Sequence, residues 1–305
     1  RGTRPDRAGV KNPIFMTRRA FIKMTAVAFV AATVFPGDAQ QLLAVVFPEG
    51  GNSDEKATYQ NPPVADERLK DYLSKVRNPD TFHPDDIILS DEEQQILEAV
   101  VQKLARLSLN VGSGHFSTLG FDEALAVARK QSAVGSFTKA ELEFFEMIFS
   151  RDAGDYGFFG TKQVTELVQE IDGGGIIKIP QSGNYLYRGE SLEKYNTIKK
   201  DLGEDVILTS GIRGIVKQFQ LFLGKAHRHG GNLSLASRSL APPGYSYHAT
   251  GDFDIGQKGL GEGNFSELFT TTPVYKRLAE QGFVDYRYWR DNMLGVRYEP
   301  WHIKL

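Results

Sequence analysis

Apolar residues recur at helical spacing between residues 90 and 171. At Ser90-Asp91-Glu92-Glu93 a serine cap is followed three residues later by a glutamate, which is the pattern of a helix start. Apolar Ile96, Val100, Leu104 and Leu107 then fall at intervals of three or four residues. The pattern predicts an all-helical region from Ser90 to Ile171, with helices over Ser90 to about Asn110, Phe121 to Gln131, Thr138 to Phe149 and Thr161 to Ile171.

Strand patterns begin after Gly173-Gly174-Gly175, a run that interrupts any helix. Short β-branched and aromatic segments follow, with two amphipathic helical segments between them and one more near the end. This order predicts an α+β fold with a small, mainly antiparallel sheet and flanking helices, preceded by the helical region. The predicted strands are Ile176–Ile179, Tyr185–Tyr187, Val206–Thr209 and Val296–Tyr298, and the predicted helices are Leu192–Leu202, Ile215–His229 and Pro273–Gln281.

The first ninety residues predict an export signal followed by an arm. Thr17-Arg18-Arg19-Ala20-Phe21-Ile22-Lys23 has the twin-arginine pattern, and the apolar stretch Thr25 to Phe35 is shorter than the about 20 residues of a membrane span. Small residues in Gly37-Asp38-Ala39 fit a cleavage site. Residues 1–39 are therefore predicted to be a signal peptide, with a short buried helix as the alternative. Residues 40–89, rich in Pro, Asn, Asp and Gly, predict a linker or extended arm.

Composition and charge narrow the classes of partner and of metal ligand. The formal net charge is −2, so the chain has no basic field of the kind that binds nucleic acid. The sequence contains no cysteine, which excludes disulfides and thiolate metal sites. A zinc site would therefore need histidine and carboxylate ligands, and the chain has only six histidines.

Two segments in the last third of the chain carry the parts of a hydrolytic zinc site. His248 lies in the segment Pro243–Asp254, where aspartates follow it, and Glu299 lies three residues before His302. Zinc catalysis needs three protein ligands, an open position for water, and a nearby base to take the water's proton. On the residues alone, the alternative is a glycine-rich loop with a capping histidine and a surface aspartate.

Three segments of the chain match, in order, the elements of one peptidase family. Upstream is Ser210-Gly211-Ile212-Arg213 with Gln218, then Ser246-Tyr247-His248 with Gly251 and Asp254, and finally Glu299-Pro300-Trp301-His302. They resemble the elements Ser-Gly-Tyr-Arg-Ser with Gln, Ser-x-His-x-x-Gly-x-Ala-x-Asp and Glu-x-Trp-His of the LAS metallopeptidases, named for lysostaphin, D-alanyl-D-alanine carboxypeptidases and hedgehog. The closest resemblance is to the VanY-like D-alanyl-D-alanine carboxypeptidases. It implies a catalytic domain over residues 137–305, after a helical region over residues 90–136.

One spacing departs from the family pattern. The family has seven positions from its first histidine to its aspartate, whereas Asp254 lies six positions after His248. Ile255-Gly256 follows Asp254 as it usually follows the family's aspartate, so the resemblance assigns the ligand to Asp254, with one residue missing after Gly251. Asp252 is the alternative ligand.

The resemblance implies a role for each residue of the matching segments. His248, Asp254 and His302 would hold one zinc ion, and Glu299 would act as the general base. Arg213 would stabilise the oxyanion or bind a substrate carboxylate, because a guanidinium stays charged and its geometry matches a carboxylate.

Ser246 and Gln218 are weaker candidates for polar contacts to the peptide. The implied function is that of an exported zinc carboxypeptidase that removes the terminal D-alanine from peptidoglycan stem peptides. Three alternative functions remain: an L,D-carboxypeptidase or a peptidoglycan endopeptidase with the same site, and a catalytically degenerate wall-binding module.

The implied location is periplasmic or otherwise extracytoplasmic in a bacterium. The expected partners are peptidoglycan peptides and the twin-arginine translocation machinery, with no nucleic acid and no stable membrane anchor after signal cleavage.

Overall fold

The computed structural model describes residues 63–305, so the predicted signal peptide over residues 1–39 and the predicted arm as far as residue 62 lie outside the described residues. Residues Asp66–Leu305 pack into one unit. The helices of the described chain are α1 (Pro63–Arg77), α2 (Asp91–Val111), α3 (Ser113–Thr118), α4 (Phe121–Lys130), α5 (Lys139–Ser150), α6 (Glu190–Leu202), α7 (Ile215–Arg228), α8 (Leu233–Ser237) and α9 (Pro273–Glu280).

Five short strands form two separate antiparallel sheets in the described residues. One is a hairpin of β1 (Ile176–Lys178) and β2 (Tyr185–Tyr187). The other has three strands in the order β3 (Val206–Ser210), β4 (Phe253–Gln257) and β5 (His302–Ile303). The predicted α+β fold with a small antiparallel sheet is confirmed. Within residues 63–305, no helix combines the length and the apolar character that a membrane span requires.

Capping boxes begin two of the helices, as the sequence predicts. The Ser90 hydroxyl accepts a hydrogen bond from the Glu93 amide at 3.3 Å, and the Glu93 carboxylate accepts one from the Ser90 amide at 2.8 Å. Thr138 and Glu141 make the same pair of bonds at the start of α5. Each box satisfies two amide groups that a helix start leaves without an intrahelical partner, and this explains why the boundaries of α2 and α5 could be predicted closely.

The predicted helix over Thr161–Ile171 is wrong, because the segment is irregular. The amides of Gln163 and Val164 both donate to the carbonyl of Gly244, at 2.7 and 2.8 Å. These long-range bonds replace the bonds that a helix would make within the segment. Helices α3 and α8 have no counterpart among the predicted helices.

Two further segments differ from the prediction. Residues Pro63–Arg77 form α1, where the sequence predicts a linker or extended arm over residues 40–89. A proline at the first helical position and several strong helix formers favour this helix. Val296–Tyr298 is irregular instead of a strand, since the Arg297 amide donates to the carbonyl of Arg238 at 2.8 Å and not to a neighbouring strand.

Helices α2, α4, α5 and α7 share one apolar core. The ring of Phe145 meets the ring of Phe219 at 4.8 Å and that of Phe121 at 5.4 Å, both edge to face. Since Phe121 precedes residue 137 and the other two follow it, the core crosses the predicted boundary between residues 136 and 137. The helical region therefore adds to the core that supports α7.

A second apolar core lies between the three-stranded sheet and helices α6 and α9. It fixes the sheet whose strands carry the candidate site residues. Its fully buried members include Val206 and Leu208 from β3, Phe253 and Ile255 from β4, Ile303 from β5, Ile198 and Leu202 from α6, and Val274 and Leu278 from α9.

A buried ion pair attaches the segment before α2 to the residue that follows α8. Arg238 donates to Asp86, and the two side chains are only 6% and 1% exposed. Asp86 also accepts hydrogen bonds from the Asn232 amide at 2.8 Å and from the backbone of His83 at 3.1 Å. Burial alone would raise the pKa of Asp86, but these bonds and the guanidinium outweigh it and lower that pKa below its usual value.

We expect the variant Asp86→Asn to lose about 3–5 kcal/mol of unfolding free energy at pH 7, because it leaves the buried Arg238 without a counter-charge. The stability that ionised Asp86 contributes is complete above the unfolded-state pKa of about 3.9 and is lost as pH falls through the lower folded-state pKa. Urea titrations between pH 7 and pH 2 should therefore show the difference from the wild type shrinking below about pH 4. A difference that stays constant with pH would contradict this account. The exposed Asp201→Asn is the matched control.

Candidate metal centre

The three-stranded sheet brings one acidic and one basic residue of the predicted site face to face. Asp254 on β4 is the direct cross-strand partner of His302 on β5, and Ser210 at the end of β3 pairs with Asp254 from the other side. Directly opposite residues in an antiparallel pair have side chains within reach of each other. Two residues that are 48 positions apart in the sequence are therefore held together by backbone pairing alone.

A register shift at the end of β3 precedes the turn that contains Gly211. The register shifts between Leu208 and Ser210, so that Thr209 is an extra residue in β3, as in a β-bulge. Gly211 comes next, and a Cβ atom there would lie 2.1 Å from the backbone oxygen of Tyr185. Only glycine fits this close approach to β2, and the Gly211 carbonyl faces His248 Nδ1, on the side of the ring away from the candidate metal centre.

His248 reaches the site from a 3-10 turn, Tyr247–Ala249. Its Nδ1 lies 2.9 Å from the carbonyl oxygen of Gly211 and donates to it. Its own carbonyl accepts from the Arg213 amide at 3.3 Å. With its proton on Nδ1, the neutral imidazole presents the lone pair of Nε2 to the site, which is the form that a metal ligand requires.

Three buried ligand atoms converge without a hydrogen-bond partner. Asp254 Oδ1 lies 3.3 Å from His248 Nε2 and 3.2 Å from His302 Nδ1. All three side chains are at most 3% exposed, and none of the three atoms makes a hydrogen bond. One ligand atom from each residue lies within 4.8 Å of the others. Buried polar atoms are normally satisfied, so this group fits a bound cation with two nitrogen ligands and one oxygen ligand.

The electrostatics around His248 and Asp254 favour the charge states that bind a cation. Burial lowers the pKa of His248, and the nearby Arg213 guanidinium lowers it further, so its imidazole is neutral. Burial alone would raise the pKa of Asp254, but His248 and Arg213 hold it well below its usual range. Arg213 contributes directly, since its Nη2 donates to Asp254 Oδ2 at 2.5 Å.

Asp252, the alternative ligand, lies behind His302 and outside the group of three. Its Oδ2 accepts from His302 Nε2 at 2.8 Å and from Arg287 Nε at 2.6 Å, and its Oδ1 accepts from the Leu305 amide at 3.1 Å. Burial alone would lower the pKa of His302, but the hydrogen bond with Asp252 and the negative charges of Asp252 and Asp254 raise it to about 9. Asp252 thus orients His302 so that Nδ1 faces the centre, in the arrangement of a carboxylate behind a metal-binding histidine.

Arg287 is a residue of this site that the sequence did not indicate. It binds Asp252 through two nitrogens, at 2.6 and 3.1 Å, and its guanidinium lies 3.7 Å from the centre of the Tyr247 ring. The stacking joins the turn that carries His248 to the carboxylate that orients His302. The only signal in the sequence was a second carboxylate, Asp252, that the family pattern does not use.

Glu299 lies beside the three ligand atoms. Its Oε2 is 3.8 Å from His302 Nδ1, and its side chain is 13% exposed. Burial raises the pKa of Glu299 to about 7, against the opposing charge of His302. Its amide donates to the Tyr288 carbonyl at 3.1 Å. A carboxylate with such a pKa, within reach of a water among the ligand atoms, can exchange a proton near neutral pH.

The three remaining predicted site residues have different positions. The Arg213 guanidinium donates to the Asp254 carboxylate through Nη2. Its Nε donates to the Ser210 hydroxyl at 2.9 Å, which fixes the side chain. Gln218 is buried in α7, where it donates to the Arg213 carbonyl and accepts from the Gly244 amide, both at 2.8 Å. Gln218 therefore braces two loops, and its contact with the peptide stays a prediction. Ser246 directly precedes the turn that carries His248 and makes no side-chain hydrogen bond to it, and its contact with substrate stays a prediction.

A comparison with protein families agrees with this arrangement. Residues 189–305 match the family model described as VanY, D-alanyl-D-alanine carboxypeptidase. The match includes both histidines, the two aspartates and the glutamate of the centre, and it confirms the predicted resemblance. It supports a peptidase with D-alanyl-D-alanine carboxypeptidase activity on the cell wall. None of the curated proteins compared with the chain matches it.

Proposed function

We propose, on the premise that residues 189–305 are a domain of the VanY family, that this chain is a zinc-dependent carboxypeptidase. It removes the terminal D-alanine from peptidoglycan stem peptides. One observation carries the proposal. Three buried ligand atoms without hydrogen-bond partners, from His248, Asp254 and His302, lie beside the Glu299 carboxylate, whose pKa is raised to about 7. A wall-binding module would have no need for that carboxylate.

Zinc fits the ligand set better than the other common divalent cations. Two imidazole nitrogens and one carboxylate oxygen form a typical catalytic zinc site, whereas magnesium and calcium prefer oxygen ligands only. When bound, zinc supplies a Lewis acid that polarises the scissile carbonyl and lowers the pKa of water to about 7. His248 and His302 are fixed from behind by Gly211 and Asp252, so their ligand nitrogens already point at one place.

Glu299 is the proposed proton carrier. Its carboxylate takes a proton from the attacking water as the water oxygen bonds to the carbonyl carbon of the scissile peptide. It then gives that proton to the nitrogen of the leaving D-alanine as the carbon–nitrogen bond breaks. The products are a free D-alanine and a stem peptide that is one residue shorter with a new terminal carboxylate.

Arg213 is the proposed anchor for the substrate's terminal carboxylate or for the oxyanion. Its Nε and Nη2 are engaged by Ser210 and Asp254, while its side chain remains 18% exposed at the edge of the centre. A guanidinium held in this way keeps donors free in a fixed direction. Binding of a terminal carboxylate favours removal of the last residue over cleavage within a cross-link.

The test is to incubate the zinc-loaded protein with defined muropeptides and to weigh the products. We expect loss of one alanine from a stem peptide that ends in D-alanyl-D-alanine, and a much slower reaction with the same peptide carrying a C-terminal amide. Release of an alanine from an L,D bond, or cleavage of a cross-link, would identify one of the alternative peptidases. A metal-loaded protein that cleaves none of these substrates would overturn the proposal and favour a wall-binding module.

The proposed place of action is the periplasm or another extracytoplasmic compartment of a bacterium. The support is the twin-arginine pattern at Arg18-Arg19 together with the location of peptidoglycan outside the cytoplasmic membrane. Translocation by the twin-arginine machinery would carry the folded protein across that membrane. Cell fractionation tests this, and a mature protein found only in the cytoplasm would contradict it.

A further inference from the structure

A long loop leads from the aromatic segment at Tyr288 to Glu299. Its two ends are joined, because the Glu299 amide donates to the Tyr288 carbonyl at 3.1 Å. The Tyr288 ring also packs on the His302 ring, with 5.0 Å between their centres. Any shift of this loop therefore acts on the carboxylate that faces the candidate metal centre.

Helix α1 holds the far end of this loop mainly through the hydroxyl of Tyr72. The Tyr72 hydroxyl donates to the Asn292 carbonyl at 2.9 Å and accepts from the Gly295 amide at 2.7 Å. Burial raises the pKa of Tyr72, so the phenol stays protonated and can both donate and accept. A second link, between Arg77 and Asp291 at 2.7 Å, is more than half exposed and contributes little.

The loop is fixed from its other side as well. Gly295 has a φ of +87°, and a Cβ atom there would lie 1.9 Å from the Gly157 carbonyl oxygen. The Phe159 amide donates to the Leu294 carbonyl at 2.9 Å. Asn292 closes the loop internally, since its side-chain amide donates to the carbonyl of Val296 at 2.7 Å. The turn at residues 292–295 is therefore held between α1 and the segment at residues 157–159.

Helix α1 (Pro63–Arg77) packs through few side chains, of which Val76 is 2% exposed and the Tyr72 ring lies 5.9 Å from the Phe159 ring. None of the three apolar cores among the described residues contains a side chain of α1. Its contacts with the catalytic region instead concentrate on the loop that ends at Glu299, through Tyr72 and Arg77. A helix that adds little to the cores but binds this loop is placed to control the position of Glu299.

We propose that α1 is a positioning element of the peptidase and that Tyr72 is a positioning residue for Glu299. The inference rests on the proposed function, because it takes Glu299 as the general base. Tyr72 touches none of the residues of the candidate metal centre, and it acts through the backbone of residues 292–299. Catalysis is sensitive to such shifts, since a displacement of about 1 Å can lower a rate by about 100-fold.

The variant Tyr72→Phe tests this in the full chain, because it removes both hydrogen bonds and keeps the ring. We expect kcat on a D-alanyl-D-alanine stem peptide to fall about tenfold, with KM within about twofold and zinc content unchanged. The matched control is Tyr156→Phe, which removes a buried hydroxyl that makes no hydrogen bond and should leave kcat unchanged. Equal kcat values for Tyr72→Phe and the wild type would overturn the inference. A fall in kcat matched by loss of zinc would overturn it too, because it would indicate general misfolding.

Tryptophan fluorescence gives a measurement that does not depend on activity. The chain has two tryptophans; Trp289 lies in the loop and is 51% exposed, whereas Trp301 is 3% exposed. Acrylamide quenching therefore reports mainly on Trp289, and it should increase in Tyr72→Phe but not in Tyr156→Phe. Unchanged quenching would show that Tyr72 does not hold the loop. If the wild type cleaves no muropeptide, the proposed function fails, while quenching still decides whether α1 fixes the loop.

Discussion

Glu299→Gln should lower kcat by about 100- to 10,000-fold while leaving zinc content unchanged. The amide has the shape of the carboxylate but cannot accept the proton of the attacking water. Glu299 lies 3.8 Å from a ligand nitrogen without belonging to the group of three ligand atoms, so its loss removes a proton carrier and not a ligand. KM should change little, since the carboxylate acts on the water and not on the bound peptide. Steady-state kinetics on a defined stem peptide, together with metal analysis, measures both effects.

The matched control is Glu262→Gln, which changes an exposed glutamate in the turn Gly261–Phe265 and should leave kcat as in the wild type. A Glu299→Gln enzyme that keeps more than about a tenth of the wild-type kcat would exclude this residue as the general base. A variant that loses zinc as well as activity would instead identify Glu299 as a ligand. Both results would differ from those expected for Tyr72→Phe, in which kcat falls only about tenfold with zinc retained.

The features that could be predicted from the sequence are those that local chemistry specifies. The capping boxes at Ser90 and Thr138 use only neighbouring residues, and both form as predicted. His248, His302 and Glu299 were candidates by residue type and spacing, because few side chains can bind zinc and the chain has only six histidines, whereas the family resemblance assigned Asp254 as the third ligand. Their convergence followed from the family resemblance. It did not follow from the spacing, since the pairing of Asp254 with His302 spans 48 positions.

The features that could not be predicted depend on contacts between distant residues. The segment Thr161–Ile171 has helical periodicity, but its amides bond to Gly244, which is remote in sequence. The two backbone partners of the Gln218 amide, Arg213 and Gly244, lie in different loops, and the spacing near Gln218 does not indicate the second of them. Helix α1 and its link to residues 292–295 depend on the tertiary position of Tyr72, which no pattern near that residue indicates.

These contacts give the two aspartates of the motif different tasks. Asp254 is approached from one side by Arg213 and from the other by two unpaired imidazole nitrogens, so that Oδ1 is free for a cation while Oδ2 is held. Asp252 has both oxygens engaged, by His302, Arg287 and the Leu305 amide. Asp252 lies just before β4, whereas Asp254 lies within β4 opposite His302, so the two carboxylates meet different neighbours.

The variant Asp254→Asn should therefore bind zinc more than about 100-fold more weakly than the wild type. This loss is larger than the one expected when a carboxylate behind a ligand is changed. An amide oxygen is a poor ligand for zinc, and the change also removes the charge that balances the cation. Asp252→Asn is the matched variant two positions away, and we expect it to keep a zinc stoichiometry near one with affinity reduced about 10- to 100-fold. Competition against a chromogenic chelator measures both affinities, and metal analysis after dialysis measures the stoichiometry.

The order of the two effects is what decides the ligand. If Asp252→Asn loses the metal while Asp254→Asn retains it, then Asp252 is the ligand, and the one-residue shortening after Gly251 has been placed wrongly. Thermal unfolding of both metal-free variants is the control, because Asp254→Asn leaves Arg213 without its counter-charge and Asp252→Asn does the same to Arg287. Both guanidiniums are 18% exposed, so the two variants carry comparable penalties, and a difference in zinc affinity reports on ligation and not on folding.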